Sequence, residues 1–307
     1  MTLTVGSVFA GIGGLDLGLA RTGHFETRWY SEVDPAALRV MQAHFTDAAS
    51  LGDVRMLPRT ASTVDVLVGG PPCQDLSKAN AAGRKGLKGT RSGLFHAYME
   101  TLAALSPRWA VMEQVPGLLT SNNGADFLTV LSAFDRQGYT VAGVIADSLA
   151  YVAQRRRRLV FVAHRDLRAA GQALLPLTRD GAGHLGAKLT PREAPAKRTG
   201  DSPRVYRKSR RAQSVNDPET WVEAWYCNTL THNDRGESRA TVIVLDKHGR
   251  PRVMTPVEWE RAHGFPDEWT AFAGSDNHRY RLLGNAVSPP IAERVGAGII
   301  EVEGGTA

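Results

Sequence analysis

Cys73 stands in the run Pro71-Pro72-Cys73-Gln74, directly after Gly69-Gly70. A thiol on a proline-stiffened turn can add to an electron-poor double bond once nearby positive charge lowers its pKa. A free cysteine without such company is a small buried hydrophobe instead. Glu113, in Glu113-Gln114-Val115, is the natural second group, because a carboxyl in a dry cleft can polarise a heterocycle while the thiol attacks. Gln154 precedes four consecutive arginines, Arg155 to Arg158. They read as a solvated strand edge or as phosphate contacts. On a strand, Arg156 and Arg158 would face one side and Arg155 and Arg157 the other. Cys227, among Trp225, Tyr226 and Asn228, has no comparable setting and reads as structural.

These groups need elements to position them. Short β-rich runs at Val5–Phe9, Thr27–Tyr30, Val64–Val68, Trp109–Met112, Thr140–Ala146 and Leu159–Ala163 alternate with helical stretches such as Pro35–Phe45 and Leu94–Leu105. That alternation predicts repeated βαβ units and a mostly parallel sheet covered on both faces. In such a sheet, ligands sit beyond the carboxyl ends of the strands. Four strand ends then converge on one crevice, with Ala10-Gly11-Ile12-Gly13-Gly14 after the first and Ser31-Glu32-Val33-Asp34 after the second. Gly69 to Gln74 and Glu113 to Gly117 follow the other two. The glycine loop is either a plain tight turn or a close backbone approach to a ligand. Glu32 is either a solvated acid or an acceptor for ribose hydroxyls. Beyond His164 the periodicity fades, and 176–204 reads as irregular. Thr241–Leu245 and Arg252–Met254 read as a hairpin around His248-Gly249, and helices are expected at Pro256–His263 and Asn285–Ala297.

The chain has 307 residues, 42% hydrophobic and 22% charged. Those proportions are those of a globular protein rather than a disordered, collagen-like or coiled-coil one. No apolar run approaches the roughly 18 residues that span a bilayer. The N-terminal stretch lacks a positive leader and is broken by glycines, unlike a signal peptide. Two cysteines make no disulfide framework, so a reduced cytoplasm is expected. The net charge of +6 is unevenly spread. Between Arg165 and Arg211 there are 12 Lys/Arg against 4 Asp/Glu, whereas the remainder holds 25 bases and 27 acids. A basic stretch of this kind suits a polyanion such as nucleic acid, or is a solvated loop.

Taken in order, these motifs resemble those of the cytosine-C5 DNA methyltransferases that use S-adenosylmethionine. Phe9-Ala10-Gly11-Ile12-Gly13-Gly14 looks like the family's first motif, and Pro71-Pro72-Cys73-Gln74 like its Pro-Cys motif. Glu113-Gln114-Val115 looks like its Glu-Asn-Val motif, with Gln114 one methylene longer than the usual Asn. Gln154 to Arg158 resembles its Gln-Arg-Arg-x-Arg motif. Arg252-Val253-Met254-Thr255-Pro256, with Glu258, Arg261 and Gly264-Phe265-Pro266-Asp267, resembles the ninth motif, although Val257 replaces a usual Arg. Gly284-Asn285-Ala286-Val287 resembles the tenth. The matches cover 5–163 and 252–290.

The resemblance implies a Rossmann-like, doubly wound α/β fold of the class I methyltransferase kind, with a smaller, basic, irregular target-recognition domain. The expected division is a catalytic domain at 1–163, a recognition domain at 164–274 and a returning C-terminal helix at 275–307. It implies Cys73 as nucleophile on C6 of a flipped-out cytosine, Glu113 at N3 and the exocyclic amine, and Arg158 with Arg156 at O2. The S-adenosylmethionine site would comprise Phe9, Gly11, Ile12, Gly13, Gly14, Glu32, Val33, Asp53, Pro71, Asn285 and Val287, with no metal. Asp75–Arg91 resembles the mobile catalytic loop. Gln74, Ser77, Arg84, Lys85, Lys88 and Arg91 would then contact duplex DNA, as would Arg204, Arg207, Lys208, Arg210 and Arg211 of the basic region. Of Trp221, Trp225 and Tyr226, two are expected to form a small core. A bacterial or phage enzyme of restriction-modification is implied, acting as a cytoplasmic monomer beside a cognate endonuclease.

Two other readings remain open on sequence. One is an RNA cytosine-C5 methyltransferase, although the Cys-Phe-Thr signature of the tRNA-modifying relatives is absent. The other is a regulator that binds nucleic acid on a decayed version of the fold. If the basic run touches phosphate, replacing Arg204, Arg207, Lys208, Arg210 and Arg211 together flattens the salt dependence of duplex binding. An unchanged slope in a salt titration would place the phosphate contacts elsewhere.

Overall fold

The computed structural model describes residues 1–72, 93–179, 204–210, 220–231, 234 and 241–304. The order is β1 (Leu3–Val8), α1 (Gly14–Ala20), β2 (Phe25–Ser31), α2 (Pro35–His44), β3 (Ala49–Ser50), α3 (Leu57–Thr60) and β4 (Val66–Gly69). There follow α4 (Gly93–Leu105), β5 (Trp109–Gln114), α5 (Ala125–Arg136), β6 (Thr140–Asp147), β7 (Arg157–His164), α6 (Leu167–Gln172) and α7 (Leu175–Arg179). The last part contains β8 (Arg204–Arg210), β9 (Thr220–Glu223), β10 (Val242–Leu245), β11 (Pro251–Arg252), α8 (Pro256–His263), α9 (Asp276–Asn285) and α10 (Pro289–Val302).

The first seven strands form one sheet in the order β3-β2-β1-β4-β5-β7-β6. The five strands from β3 to β5 are parallel, and β7 runs antiparallel to both β5 and β6. The chain winds outward from β1 through β2, then crosses back to β4. The switch therefore falls between β1 and β4, where an open sheet leaves a crevice at its carboxyl end. Its inner runs in β1, β4, β5 and β7 are largely apolar because both faces are buried. Val66, Val68, Trp109, Val111, Val160 and Val162 lie against α1, α6, α7 and α10. The alternate residues Leu67, Ala110, Met112, Leu159 and Phe161 lie against the α4 and α5 side.

A second, antiparallel sheet has the order β11-β10-β8-β9. Its Val242 and Val244 join a third core with Ile12, Val40 of α2, Trp259 of α8 and Leu283 of α9. The expected hairpin is present, with Val244 opposite Arg252 and the Asp246 carboxylate accepting from the His248 and Arg250 amides across the turn.

Three expectations shift. Residues 167–179, placed with the basic domain at the sequence level, instead pack on the first core, where Ala169, Ala173, Leu174 and Leu177 meet α10. The helix expected from Asn285 starts at Pro289, because Pro289-Pro290 supply the fixed φ of a first turn. Before it lies α9, a helix capped by Ser275. It carries little hydrophobic periodicity and is held by Arg279 on buried Glu260 at 2.9 Å and by Arg281 on Asp34 at 3.0 Å.

Asp16 of α1 is buried between β1 and β2, where its carboxylate accepts from Ser7 Oγ at 2.9 Å and Thr27 Oγ1 at 3.1 Å. Burial pushes its pKa up from 3.8 to about 6, with the hydroxyls opposing. The stability it contributes is full below the unfolded pKa and is lost as pH rises through about 6, amounting to about 3 kcal/mol by pH 8. Asp16→Asn should therefore compare better with the native protein at pH 8 than at pH 4, by about 2 kcal/mol in urea unfolding. An equal difference at the two pH values would contradict the buried ionisation.

Candidate active site

The crevice is lined first by the turn after β1. Phe9 has φ 55, Gly11 φ 58 and Gly13 φ 75. A left-handed φ at a bulky residue is strained and persists only where its surroundings enforce it. The Gly11 amide donates to Glu32 Oε2 at 2.8 Å, while Glu32 Oε1 accepts from the Val33 and Asp34 amides at 2.7 and 2.9 Å. Three backbone donors thus fix the carboxylate at the end of β2 and join two strand ends. Next to it, Val33 is 65% exposed, a bare apolar lip on the crevice. Ser31 Oγ donates to the Gly52 carbonyl at 2.6 Å and so holds the loop bearing Asp53 beside the same strand end. Asp53 itself caps the turn at 54–56, and the Arg55 guanidinium keeps its carboxyl below the usual range.

The opposite wall comes from the C-terminal segment. A Cβ on Gly14 would lie 2.3 Å from the Val287 carbonyl oxygen, so only glycine admits that backbone over the start of α1. Asn285 is exposed at the end of α9 and Val287 is half-buried. Ile12 departs from expectation. Its side chain enters the third core, and its carbonyl accepts from Trp269 Nε1 at 2.8 Å. It builds the loop from behind rather than lining the crevice. Sequence reasoning missed Arg281, whose ion pair with Asp34 ties α9 to the cap of α2 beside Glu32. A lone arginine in a polar helix gave no signal for it.

At the end of β5, Glu113 Oε1 lies 2.7 Å from Arg158 Nε. The antiparallel register explains the meeting. Glu113 pairs with Val160, which makes Arg158 its diagonal neighbour on one face. Gly70 leaves room for the carboxylate, since a Cβ there would stand 3.1 Å from Glu113 Oε2. Gln114 points to the other face, is 3% exposed, and donates from Nε2 to the Pro71 carbonyl at 2.8 Å. The extra methylene that sets Gln114 apart is thus used to hold the chain two residues ahead of Cys73. Cys73 itself lies outside the described residues, as do Gln74, Ser77, Arg84, Lys85, Lys88, Arg91 and Arg211.

Arg156 is corrected. Expected beside Arg158 at the reacting base, it is 1% exposed and donates to the carbonyls of Leu230, Gly284 and Ala286 at 3.3, 3.0 and 2.7 Å. The β7 strand begins only at Arg157, so Arg156 lies outside it and turns its guanidinium into the joint with the C-terminal segment. Arg155 pairs with Asp147 at 3.6 Å. His263, next to that joint, is pushed down to about 3 by burial first and Arg156 second, so it stays neutral.

In the second sheet, Arg204 is exposed, but Arg207 lies over the Tyr226 ring at 4.8 Å and Lys208 Nζ stands 5.0 Å from the Trp221 ring. Only the backbone of Arg210 is described. Trp225 and Tyr226 meet edge to face at 5.3 Å. Cys227 is buried and its thiol is pushed up to about 12 by burial, which leaves it unreactive. Among the described residues no group of three or more metal-ligating side chains occurs, and no helix is long and apolar enough to cross a membrane.

The fold has a counterpart among solved structures, and the sequence has relatives along nearly its whole length. A crystal structure of a proposed DNA modification methyltransferase encoded within an E. coli prophage superposes with a TM-score of 0.70 over 99% of this chain and 100% of that one, at 20% identity. The Type II methyltransferase M.Bsp6I of Bacillus sp. strain RFL6 is 29% identical, covering 97% of this chain and 98% of the relative. The Type II methyltransferase M.NgoPII of Neisseria gonorrhoeae is 27% identical, covering 95% and 94%. The sequence profile of the C-5 cytosine-specific DNA methylases matches residues 3–301. With nearly its whole length matched and the Glu113–Arg158 pair at the end of β5, the chain belongs to the C-5 cytosine-specific DNA methylases and is a DNA (cytosine-5-)-methyltransferase.

Proposed function

We propose that this chain transfers a methyl group from S-adenosylmethionine to C5 of a cytosine flipped out of a specific duplex DNA site, through a covalent bond between Cys73 and C6. The observation that carries this reading is the Glu113–Arg158 pair at the same strand end to which Gln114 fastens the Pro71-Pro72 turn. A carboxyl, a guanidinium and the approach to a thiol share one edge of the sheet.

The residues at the ends of β1 and β2 fit the donor. The Glu32 carboxylate, held by three amides, is preset to accept from a ribose diol. Val33 offers an uncovered apolar face to an adenine ring, Asp53 is tied nearby, and Asn285 and Val287 close the far side. The bound donor supplies a methyl group on a positively charged sulfur, a leaving group good enough for attack by carbon.

Cytosine C5 is a poor nucleophile, and the protein must change that. The Cys73 thiolate adds to C6, and the displaced π electrons pass into the ring. Glu113 hydrogen-bonds N3 and the exocyclic amine, and Arg158 holds O2 where negative charge develops. The electron pair raised at C5 is what would take the methyl group that the bound donor would supply. Loss of the C5 proton to a base, water included, restores the double bond to C6 and expels the Cys73 thiolate. The target carbon is unreachable within a stacked duplex, so the base leaves the helix at a cost of about a few kcal/mol. The cations of the 75–91 segment and the basic run around Arg204 suit the flanking phosphates.

Its relatives named Type II methyltransferases support a modification enzyme of a restriction-modification pair. That role implies a bacterial or phage source, action in the cytoplasm as a monomer, and a cognate endonuclease.

Three experiments test this reading. Duplex DNA carrying 5-fluorocytosine at the target blocks the final proton loss, so the native protein should form a denaturation-resistant adduct. Cys73→Ala should form none and methylate nothing while still binding the duplex; residual methylation would remove Cys73 from its role. With ordinary substrates, duplex DNA should be methylated and tRNA left unmodified. Gln114→Met keeps the length but leaves the buried Pro71 carbonyl without its donor. It should slow adduct formation roughly tenfold, with the donor KM within about twofold of native. An unchanged adduct rate would mean that the Pro71 clasp does not set the position of the nucleophile.

A further inference from the structure

Arg156 is the only fully buried arginine among the described residues, and its hydrogen bonds are unusual for so large a cation. Its guanidinium meets no carboxylate at ion-pair distance among the described residues. It bridges two distant segments through carbonyl oxygens alone. Nη1 donates to Leu230, in the connection between β9 and β10, and Nη2 donates to both Gly284 and Ala286. Burial and the neighbouring Arg158 both disfavour the charge, and Glu113 only partly offsets them. Burying a guanidinium in this way costs free energy that surface solvation would spare. A side chain so placed is explained by what it holds.

What it holds is the link between α9 and α10. Pro289 and Pro290 prevent this link from continuing the earlier helix. Asn285 ends α9, Val287 lies in the link, and the acceptor Ala286 lies between them. Further along, Ser288 Oγ donates to the His263 carbonyl at 2.6 Å. In front of it, the Val287 carbonyl presses against Gly14 of the glycine loop. The link is therefore fixed from behind by Arg156 and meets the donor pocket with its other side. Two residues along the chain from this clamp, Arg158 meets Glu113.

We infer that Arg156 is a positioning residue of the donor pocket, fastening the Gly284–Ala286 link so that Asn285 and Val287 close over S-adenosylmethionine, and that it makes no contact with the target base. The inference rests on the donor reading given above. A planar guanidinium reaches three carbonyls of two segments at once, whereas a lysine ammonium is a point donor on a flexible stem. Arg156→Lys keeps the charge but loses most of the clamp, and Arg156→Met removes both.

The test uses the full-length protein. S-adenosylhomocysteine affinity is measured by calorimetry, amide exchange of residues 284–288 by mass spectrometry, and adduct formation on 5-fluorocytosine DNA at saturating donor. Arg156→Lys should weaken S-adenosylhomocysteine binding roughly tenfold and speed exchange in 284–288. Its adduct rate at saturating donor should stay within about threefold of native, because the reacting residues are intact. If Arg156→Met fails to fold, Arg156→Lys alone decides. Native affinity and native exchange in Arg156→Lys would overturn the inference. So would a collapse of adduct formation at saturating donor with affinity unchanged, which would return Arg156 to the base. Native protein that takes up no S-adenosylhomocysteine would overturn the donor reading itself, and this inference with it.

Discussion

A carboxylate and a guanidinium 2.7 Å apart at the end of the central strand β5 set the geometric demand on the rest of the molecule. Neither residue reaches the other through local sequence. They meet because β7 runs antiparallel along β5 in a register that places Val160 opposite Glu113. A slip of one residue would turn Arg158 to the opposite face of the sheet. That register is in turn fixed by burial on both faces, with Val160 and Val162 on one side and Leu159 and Phe161 on the other. The Glu113–Arg158 pair is thus held by apolar packing well away from it.

The same strand end organises the Pro71-Pro72 turn that precedes Cys73. Glu113 and Gln114 are neighbours and so point to opposite faces. One faces Arg158 and the other grips the Pro71 carbonyl. Rotation of β5 would disturb both together. A single short strand therefore couples the group that would polarise a base to the turn that leads into the thiol.

The C-terminal segment is part of the catalytic body rather than an appendage. It crosses the glycine loop at Gly14, is clamped by Arg156, and returns through α10 to pack on α1 and on the strands of the first core. The second sheet is attached through the same joint, since Leu230 shares the Arg156 guanidinium with Gly284 and Ala286. Within that sheet, Arg207 and Lys208 lie over aromatic rings, which anchors two cations of the basic run by packing as well as charge.

The sequence alone determined the element types, because hydrophobic period and strand-end chemistry are local properties. The strands around Val66, Trp109 and Leu159, the α2 helix after Asp34-Pro35 and the α8 helix inside its Thr255–Glu258 capping box are all legible from neighbouring residues. So was the crevice, because an open parallel sheet leaves only one end for ligands. Only the tertiary structure decided which residues meet there. Arg156 and Arg158 are alike in type and in their place in one arginine run, yet Arg158 pairs with Glu113 and Arg156 is spent on three carbonyls up to 130 residues away. Gln114 and Arg281 gain their roles from Pro71 and Asp34, partners that no local pattern names. The physical reason is that a polar side chain's role depends on which donors and acceptors the fold leaves within about 3 Å of it, and that distance is fixed by the packing of distant segments.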